Sequence, residues 1–352
     1  MREKIFANAL NQMLEFGPKR LILLKNYFGG FENGWKASAE EIKKAAGLQT
    51  FNDIRKNIDP EKEWQILEKE KIKVFLPEDE NYPSRLLETP FPPAILYLKG
   101  ELPEQTKHFF AVVGTRNAST YGKESCQKIV KELARAGFVI VSGLASGIDG
   151  LSHKIAIENK TKTIAVLGSG LWEKVLFPAE NKKLGRSISE GNGALISEYP
   201  FRMAATRFTF PQRNRIVAGM TSGTLVIEAP KKSGALITAY LALDYNRDIF
   251  AVPGPIFSKN SAGANNLIKA GAKAVTEAED ILKEYGFEIP SSEKNISLSE
   301  KEKIILEALS EPMPVDEIIL KTGLEPSEIN SILSLLEIYG LIKNIKGEIY
   351  RI

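Results

Sequence analysis

Three glycine-rich regions carry the residues best suited to hold a phosphate group. In chain order they are Gly114-Thr115-Arg116, Ser142-Gly143 with Ser146-Gly147, and Gly168-Ser169-Gly170. A glycine lets the backbone approach a ligand closely, and a hydroxyl beside a guanidinium can hydrogen-bond a phosphate. Taken alone, the first turn is more simply a tight turn with a solvated arginine. Ser146 and Asp149 also have the spacing of a helix capping box. Together, however, the turns favour an anion-binding surface.

A basic and aromatic segment lies further along the chain. Phe208 and Phe210 precede a proline, and Arg213, Asn214 and Arg215 follow it. The proline is typical of a helix start. Because the two arginines are two positions apart, they lie on different faces of a helix. They can share a ligand only near the N-terminus of that helix, or if the ligand is extended. A nucleic-acid strand is extended, and phenylalanines can stack on its bases. The alternative is a capped helix with solvated arginines and core phenylalanines.

Glu228 ends a predicted strand and is a candidate general base. No histidine or second carboxylate stands close to it in sequence to complete an acid–base pair, so a hydrogen-bonded structural carboxylate is the favoured interpretation. The first predicted strand is also not followed by the G-x-G-x-x-G pattern of a dinucleotide-binding site. These residues do not favour catalysis.

The candidate residues require a scaffold that brings several turns to one edge. From residue 109 onward, apolar runs alternate with helical patterns, which is typical of an α/β protein with a doubly wound, mostly parallel sheet. Strands are predicted at residues 109–113, 137–143, 161–167, 194–198, 224–229, 248–252 and 272–276. Helices are predicted at residues 125–136, 213–220, 235–244, 265–270 and 277–285, and another opens within 145–150. Ligands bind beyond the carboxyl ends of such strands, where the glycine-rich turns fall.

The first 58 residues have a different character. Short helical segments, including one with Ala7, Leu10, Met13 and Leu14 at helical spacing, are joined by glycine hairpins. Ser38 and Glu41 form a further capping box. Residues 1–58 are predicted to be a small helical domain of the helix-hairpin-helix or SAM-like kind. Such hairpins can bind a DNA backbone, but a plain packing module is the favoured interpretation.

The remaining chain divides into three parts. Residues 59–286 are predicted to form the α/β domain, and residues 61–100, which include a short predicted strand at residues 72–76, are predicted to be a connector that leads into its sheet. Residues 287–297 are polar and indicate a linker. Residues 298–352 contain three helical patterns followed by a hairpin with Lys346-Gly347 at its turn, which indicates a winged helix.

Composition excludes several classes of function. Cys126 is the only cysteine and is predicted to be a packing residue, and there are only two histidines, so neither an internal disulfide nor a zinc site is expected. We predict no metal and no cofactor. No signal peptide and no apolar stretch of about 18 residues is present, so a cytoplasmic protein without a membrane span is expected. The net charge of +3 does not by itself indicate nucleic acid.

Six motifs, in order along the chain, resemble those of the DNA-processing protein A family, also called DprA or Smf. They are residues 113–116 (VGTR), 142–149 (SGLASGID), 210–216 (FPQRNRI), 228–229 with 233–239 (EA and SGALITA), 252–254 (VPG) and 263–268 (GANNLI). The resemblance covers residues 79–282 tightly and the flanking parts more loosely.

The resemblance implies an extended Rossmann-like domain that binds single-stranded DNA without known catalysis. It also implies a bacterial homodimer that protects incoming strands and helps to load the RecA recombinase during natural transformation. Arg116 corresponds to the arginine of the family's phosphate-binding pocket, although it stands one position early relative to a G-[ST]-x-R pattern. Arg213, Asn214 and Arg215 fall on the family's basic motif.

An enzyme is the alternative implied by similar folds. Rossmann-like proteins of the lysine-decarboxylase-like (LOG) group hydrolyse nucleotides and carry P-G-G-x-G-T-x-x-E. This chain has Ser222-Gly223-Thr224 and then Glu228, without the Pro-Gly-Gly and with one extra residue before the acid. This departure weighs against nucleotide hydrolysis. A purely structural adaptor is a third possibility and predicts no DNA binding.

The charge of residues 298–352 gives a first testable prediction. Ten acidic and six basic residues give this segment a charge of −4, which leaves +7 on the rest of the chain. Its third helical pattern, residues 326–339, has no Lys or Arg but carries Glu328 and Glu337, and Ile329, Ile332, Leu333 and Leu336 are its predicted core stripe. A phosphate backbone repels such a segment. We expect truncation after Asn295 to leave single-strand affinity unchanged in a band-shift titration. A tenfold loss, about 1.4 kcal/mol, from a truncated protein that stays folded and dimeric would contradict this.

Overall fold

The computed structural model describes residues 1–13, 17–48, 51–105, 107–287, 298–345 and 347–351. The chain divides into two compact units, Met1–Glu288 and Ile289–Ile352. Leu14, Lys346 and, apart from residue 287, the predicted linker lie outside the described residues. The division of the first unit at residue 58 stays a prediction.

One nine-stranded sheet forms the centre of the first unit within the described residues. Its strands are β1 (Ile72–Phe75), β2 (Leu96–Gly100), β3 (Phe109–Val113), β4 (Val139–Ser142), β5 (Thr163–Val166), β6 (Gly193–Ser197), β7 (Gly223–Val226), β8 (Asp248–Ala251) and β9 (Lys273–Ala274). Their order is β1-β2-β6-β5-β4-β3-β7-β8-β9. The strands β3 to β9 run parallel, which confirms the predicted doubly wound architecture. Both faces of β3 are buried, as its unbroken apolar run predicts.

The sequence analysis predicted that residues 61–100 are a connector, but these residues also contribute two strands to the sheet. β1 and β2 extend the sheet: β2 pairs antiparallel with β6, and β1 pairs antiparallel with β2. Tyr97 and Leu98, adjacent on β2, belong to the cores on opposite faces of the sheet. The prediction failed because the pairing partner of β2, residues 193–197, lies about a hundred residues away and leaves no local signal.

Helices cover both faces of this sheet. They are α1 (Arg2–Asn11), α2 (Gly17–Phe28), α3 (Phe31–Lys36), α4 (Ala39–Ala46), α5 (Phe51–Arg55), α6 (Pro60–Lys69), α7 (Ser84–Leu87), α8 (Thr120–Arg135), α9 (Ile148–Glu158), α10 (Lys182–Ser187), α11 (Thr209–Gly219), α12 (Gly234–Asp244), α13 (Ala262–Lys269) and α14 (Glu279–Leu282). Short 3₁₀ turns occur at Glu173–Val175, Ala179–Asn181 and Lys283–Tyr285, and a π-type turn at Ile188–Asn192.

The helix starts that flank the sheet differ in detail from the predictions. α8 begins five residues before the predicted start, because the Ser119 hydroxyl accepts the N–H of Gly122 and caps it (3.1 Å). Ser146 and Asp149 do not form a capping box: the N-cap of α9 is Gly147, and the Asp149 carboxylate accepts the N–H of Gly143 (3.1 Å).

The N-terminal helices share a hydrophobic core with one face of the sheet. Leu10, Phe31 and Phe51 belong to the same buried cluster as Tyr97 and Leu195. The predicted capping box of α4 is present, since the side chains of Ser38 and Glu41 each bond the backbone N–H of the other residue. Packing on the sheet is therefore one function of these helices.

The second unit is a winged helix. It contains α15 (Glu300–Ala308), β10 (Met313–Pro314), α16 (Val315–Thr322), α17 (Pro326–Ile338), β11 (Ile342–Ile345) and β12 (Glu348–Arg351). Its sheet order is β10-β12-β11, so β10 adds a strand that the sequence did not predict. Ile329, Leu333 and Leu336 are buried and Ile332 packs against them, which confirms the predicted core stripe.

The structure also bears on the predicted absence of a membrane span and on the predicted role of Cys126. Among them, no helix combines the length and the apolar character needed to cross a bilayer. Cys126 is a buried free thiol, and burial raises its pKa well above the usual range, as a packing residue requires.

The buried His153 of α9 gives a stability prediction. The Thr163 hydroxyl donates to the carbonyl of Ile140 (2.6 Å), so His153 Nδ1–H donates to Thr163 (2.7 Å) and the imidazole is neutral. Burial, with Arg213 as a lesser cause, lowers the pKa of His153 to about 3. Because the unfolded imidazole has a pKa of about 6.5, protons favour the unfolded chain between these values, so stability is full above about pH 6.5 and falls towards pH 3.

We therefore expect this group to reduce the free energy of unfolding by about 2 kcal/mol between pH 7 and pH 5. Urea unfolding of the wild-type protein and the His153→Asn variant at both pH values measures this. The asparagine keeps a side-chain donor for Thr163 but does not titrate. Equal losses of stability in the two proteins would contradict the assignment.

Candidate nucleic-acid interface

A pocket of about 610 Å³ opens at the carboxyl edge of the parallel strands. Segments that follow β3, β4 and β7 line it, together with α11 and the N-terminus of α12. The strand order reverses between β3 and β7, because the chain moves from β3 to β4 on one side and later returns to β7 on the other. Doubly wound folds bind their ligands at such a reversal.

The turn after β3 presents Thr115 and Arg116 to this pocket. Thr115 donates its N–H to the carbonyl of Glu228 (2.7 Å), and its hydroxyl accepts the N–H of Asn117 (3.2 Å). Gly147 packs against the turn with a φ of +75°, and a Cβ there would lie 2.3 Å from the carbonyl oxygen of Thr115. Glycine is therefore required at position 147, and the second predicted turn holds the first in place.

Arg213 forms the floor of the pocket and is only 4% exposed. Its Nη1 donates to the carbonyls of Gly143 (2.6 Å) and Val166, which follow β4 and end β5, and its Nε donates to the Asn214 side chain (3.1 Å). A Cβ at position 143 would lie 2.3 Å from Nη2, so glycine makes room for the guanidinium. Within the described part of the chain, no carboxylate lies within 4.0 Å of Arg213.

The electrostatics of the floor follow from burial. Burial lowers the pKa of the Arg213 guanidinium, and the nearby Asp149 carboxylate opposes this. Burial likewise raises the pKa of Asp149, and Arg213 opposes it. The two charges therefore stabilise each other without a direct ion pair. Because an arginine does not lose its proton in proteins, the Arg213 guanidinium keeps its positive charge beside Asp149, which also lines the pocket.

The N-terminus of α12 forms the opposite wall. Ser233 caps the helix by accepting the N–H of Ala235 (3.3 Å), and Asn214 donates to the carbonyl of Gly234 (3.1 Å). Asn214 thus connects Arg213 on α11 to the first turn of α12. The helix dipole at this end favours an anion.

The rim of the pocket carries exposed cations and aromatic rings. Arg116, Arg207 and Lys232 are exposed and line the opening. The Arg116 guanidinium lies 5.4 Å from the centre of the Phe210 ring, and the centre of the Phe177 ring lies 5.7 Å from that of Phe210. The rim therefore offers both positive charge and flat apolar surfaces.

The predicted site residues divide into two groups. Those that line the pocket are Gly114, Thr115, Arg116, Gly143, Arg213 and Asn214. Those that do not are Ser142, Ser146, Gly147, Ser169, Phe208 and Arg215. A role in DNA contact stays a prediction for all twelve.

The buried serines of the second group have structural partners. The Ser142 hydroxyl donates to the carbonyl of Val112 (2.6 Å), and that of Ser169 donates to the carbonyl of Gly170 (3.0 Å). Both side chains are at most 2% exposed. These contacts engage both serine hydroxyls in bonds to the backbone, so neither Ser142 nor Ser169 presents its hydroxyl at the pocket surface.

Arg215 and Phe208 are placed differently. Arg215 forms an ion pair with the Glu198 carboxylate, in which both side chains are largely buried, and donates to the carbonyl of Phe91 (2.7 Å). The prediction that Arg213 and Arg215 lie on different faces of the helix is confirmed, and only Arg213 faces the pocket. Phe208 is 64% exposed beside the guanidinium of Arg207 (4.7 Å to the ring centre).

Lys232 and Phe177 are among the pocket residues that the sequence analysis did not name as candidates. Lys232 stands two positions before Gly234, and a lysine just before a helix N-cap was a usable signal. Phe177 comes from the segment between β5 and α10, and nothing in its local sequence places it beside Phe210.

Glu228 has a structural role at the same edge. Its carboxylate accepts the N–H (2.9 Å) and the hydroxyl (2.6 Å) of Ser119, and Ser119 in turn caps α8. The side chain is 1% exposed. Among the residues that the structure describes, no group of three or more His, Cys, Asp or Glu side chains is placed to hold a metal ion.

The sequence matches two family models. Residues 73–286 match the model for DNA recombination-mediator protein A, and residues 290–348 match the model for the DprA winged helix domain. Protein Smf from Synechocystis is 32% identical, in an alignment that covers 99% of this chain and 98% of that protein.

Two solved structures are similar in fold as well. DNA processing protein A from Streptococcus pneumoniae superposes with a TM-score of 0.67 and 35% identity, over 79% of this chain and 98% of that one. DNA processing protein A from Helicobacter pylori, solved in a study of its single-stranded DNA binding mode, gives a TM-score of 0.55 and 27% identity, over 61% of this chain and 95% of that one.

The contacts of Glu228 predict how its variants behave. Glu228→Ala leaves the Ser119 N–H and hydroxyl without their acceptor, so we expect the free energy of unfolding to fall by roughly 1–3 kcal/mol. Glu228→Gln keeps one acceptor oxygen and should lose less. Chemical denaturation measures both, with Glu124→Ala, an exposed carboxylate on α8, as the control. If Glu228→Ala is as stable as the wild-type protein, the hydrogen bonds from Ser119 to Glu228 do not contribute to stability.

Proposed function

This chain belongs to the DNA recombination-mediator protein A family, and we propose on that basis that its α/β unit binds single-stranded DNA at the pocket between β3 and β7. The observation that carries the proposal is the buried cation on the pocket floor. Arg213 is held by two backbone carbonyls, has no carboxylate within 4.0 Å among the described residues, and lines the cavity. A phosphate there is the anion that this desolvated charge favours.

The surrounding groups fit a phosphate of a nucleic-acid backbone. Thr115 supplies a hydroxyl, the N-terminus of α12 supplies the positive end of its helix dipole, and Arg116, Arg207 and Lys232 supply charge at the rim. Contacts of this kind recognise the backbone and not the base edges. Binding should therefore be tolerant of sequence.

A single strand fits this surface better than a duplex. The phosphate-binding groups lie inside a concave pocket, whereas the exposed rings of Phe177 and Phe208 stand at or near its edge. Unpaired bases can turn onto such rings and stack, and every base has a face that allows it. In a duplex the bases are paired and stacked within the helix, so these rings have no partner.

The remaining parts of the proposal follow from the family. We infer a cytoplasmic homodimer that protects single-stranded DNA and helps to load a RecA-type recombinase, as in natural transformation. The family model itself is described as a recombination mediator. No catalytic step is part of this function.

Nucleotide hydrolysis is the competing function, and the contacts of Glu228 weigh against it. A general base needs an oxygen free to accept a proton from water or substrate. Both Glu228 oxygens instead accept hydrogen bonds from Ser119, and the side chain is 1% exposed. Release of free base from a nucleoside monophosphate, abolished by Glu228→Gln in a folded protein, would support the enzyme.

Replacing Arg116 tests the proposed binding site. We expect Arg116→Ala to weaken binding of single strands of any sequence. Because each phosphate contact releases counterions, it should also reduce the slope of log K against log salt by roughly 0.7. Fluorescence anisotropy titrations at several salt concentrations measure both quantities.

Arg135→Ala is the matched control. Arg135 is an exposed arginine at the far end of α8, about 24 Å along the helix from its N-terminus. This variant should retain the wild-type affinity and slope. If Arg116→Ala also retains both, the assignment of the pocket is wrong.

A further inference from the structure

The segment between β8 and α13 forms a loop with an exposed apolar tip. Phe257 is 96% exposed, the highest value for a large apolar side chain in the described residues, and its neighbour Ile256 is 81% exposed. Neither residue lines the pocket at the β3–β7 edge. The function proposed for the pocket therefore does not explain why this apolar tip is exposed.

The base of the loop is held by reciprocal hydrogen bonds. The Asn265 side chain donates to the carbonyl of Gly254 (2.9 Å) and accepts the N–H of the same residue (3.1 Å). The Tyr121 hydroxyl on α8 donates to the carbonyl of Pro253 (2.5 Å). The tip is therefore presented from a fixed base.

The loop is also tied to the segments that carry the cations of the rim. Asn260 donates to the carbonyl of Asn117 (3.0 Å), the residue that follows Arg116. At the start of α13, Gly263 donates its N–H to the carbonyl of Ala229 (2.7 Å), three positions before Lys232. The loop that carries the tip is thus bonded to both of the basic segments that flank the pocket.

The charge of the loop matches that of the rim. Residues 253–261 contain no acidic residue, and Lys259 is exposed two positions after Phe257. Phe257 is three residues from Asn260, so their Cα atoms are at most roughly 11 Å apart, and the Asn260 side chain and its hydrogen bond span the remaining distance to Asn117 beside Arg116. An extended strand bound at Arg116 can cover this distance.

We propose that Phe257, with Ile256 beside it, is a stacking platform for the bases of a single-stranded nucleic acid that continues past Arg116. This proposal rests on the proposed function and extends its footprint to a second site. The pocket holds the phosphate, and the loop holds bases one or more nucleotides further along. Continuity with the rim and the absence of acidic residues favour a nucleic acid over a protein as the occupant.

Strand length separates the two sites in an experiment. The probes are a labelled oligothymidylate of roughly four nucleotides, which fills the pocket, and one of roughly 16 nucleotides, which reaches the loop. We expect Phe257→Ala to weaken binding of the long strand about fivefold or more and to change binding of the short strand less than twofold. Because stacking releases no counterions, the salt dependence should stay as in the wild type.

Two further variants sharpen the result. Phe257→Trp keeps a flat ring, so the long strand should bind with near wild-type affinity and quench the fluorescence of the new indole. Tyr27→Ala removes another half-exposed ring, on α2 and outside the pocket lining, and should bind both strands as the wild type does.

The outcomes distinguish this inference from the proposed function. Failure of the wild-type protein to bind either strand refutes the proposed function and the stacking site with it. Wild-type binding with unchanged long-strand affinity in Phe257→Ala refutes the stacking site alone. So does a change of oligomeric state in Phe257→Ala, seen by sedimentation, without a change in affinity per chain, because the tip would then contact a second copy.

Discussion

The arrangement of the pocket depends on one buried charge, the guanidinium of Arg213. A buried cation is costly unless its donors are satisfied, and here they bond carbonyls at the carboxyl ends of β4 and β5. These bonds fix the start of α11 against the sheet edge. They also explain Gly143, which stands 70 positions earlier and leaves the space that the guanidinium occupies. The sequence predicted a ligand-binding turn at Gly143. In the structure, glycine is required at this position because the Arg213 side chain occupies the space of a Cβ.

Local sequence predicted the parts of the structure that depend on local interactions. The run of residues 109–113 is buried on both faces and became β3 because no other conformation hides it so well. The turn with Thr115 and Arg116 was found because strand ends of a parallel sheet meet at one edge. Helical periodicity separated Arg213 from Arg215, but only the packing of α11 shows which of them faces the pocket. Phe177 and the pairing of β2 with β6 depend on distant segments, so no local pattern predicted them.

The charge of residues 298–352 does not fit the DNA-binding mode that is common among winged-helix folds. Such folds commonly place a helix in the major groove with Lys or Arg near phosphates. Among the described residues of this segment, three lysines are instead engaged in ion pairs on the unit's own surface, as Lys301 with Glu328, Lys303 with Glu300 and Lys321 with Glu317. Exposed pairs of this kind add little stability, but they leave less positive charge for a phosphate. That residues 298–352 do not contribute to DNA affinity therefore stays a prediction.

The pocket combines a fixed charge with exchangeable ones, and this division suits a protein that binds strands of any sequence. Arg213 cannot move without losing its carbonyl partners, so the position that it offers a phosphate is rigid. Arg116 and Lys232 are exposed, and their charges interact with solvent ions when no strand is present. In the proposed binding mode, a strand would gain its position from the floor and most of its salt-sensitive affinity from the rim. Such binding would hold a strand in place and still allow its replacement, as the proposed transfer of DNA to another protein requires.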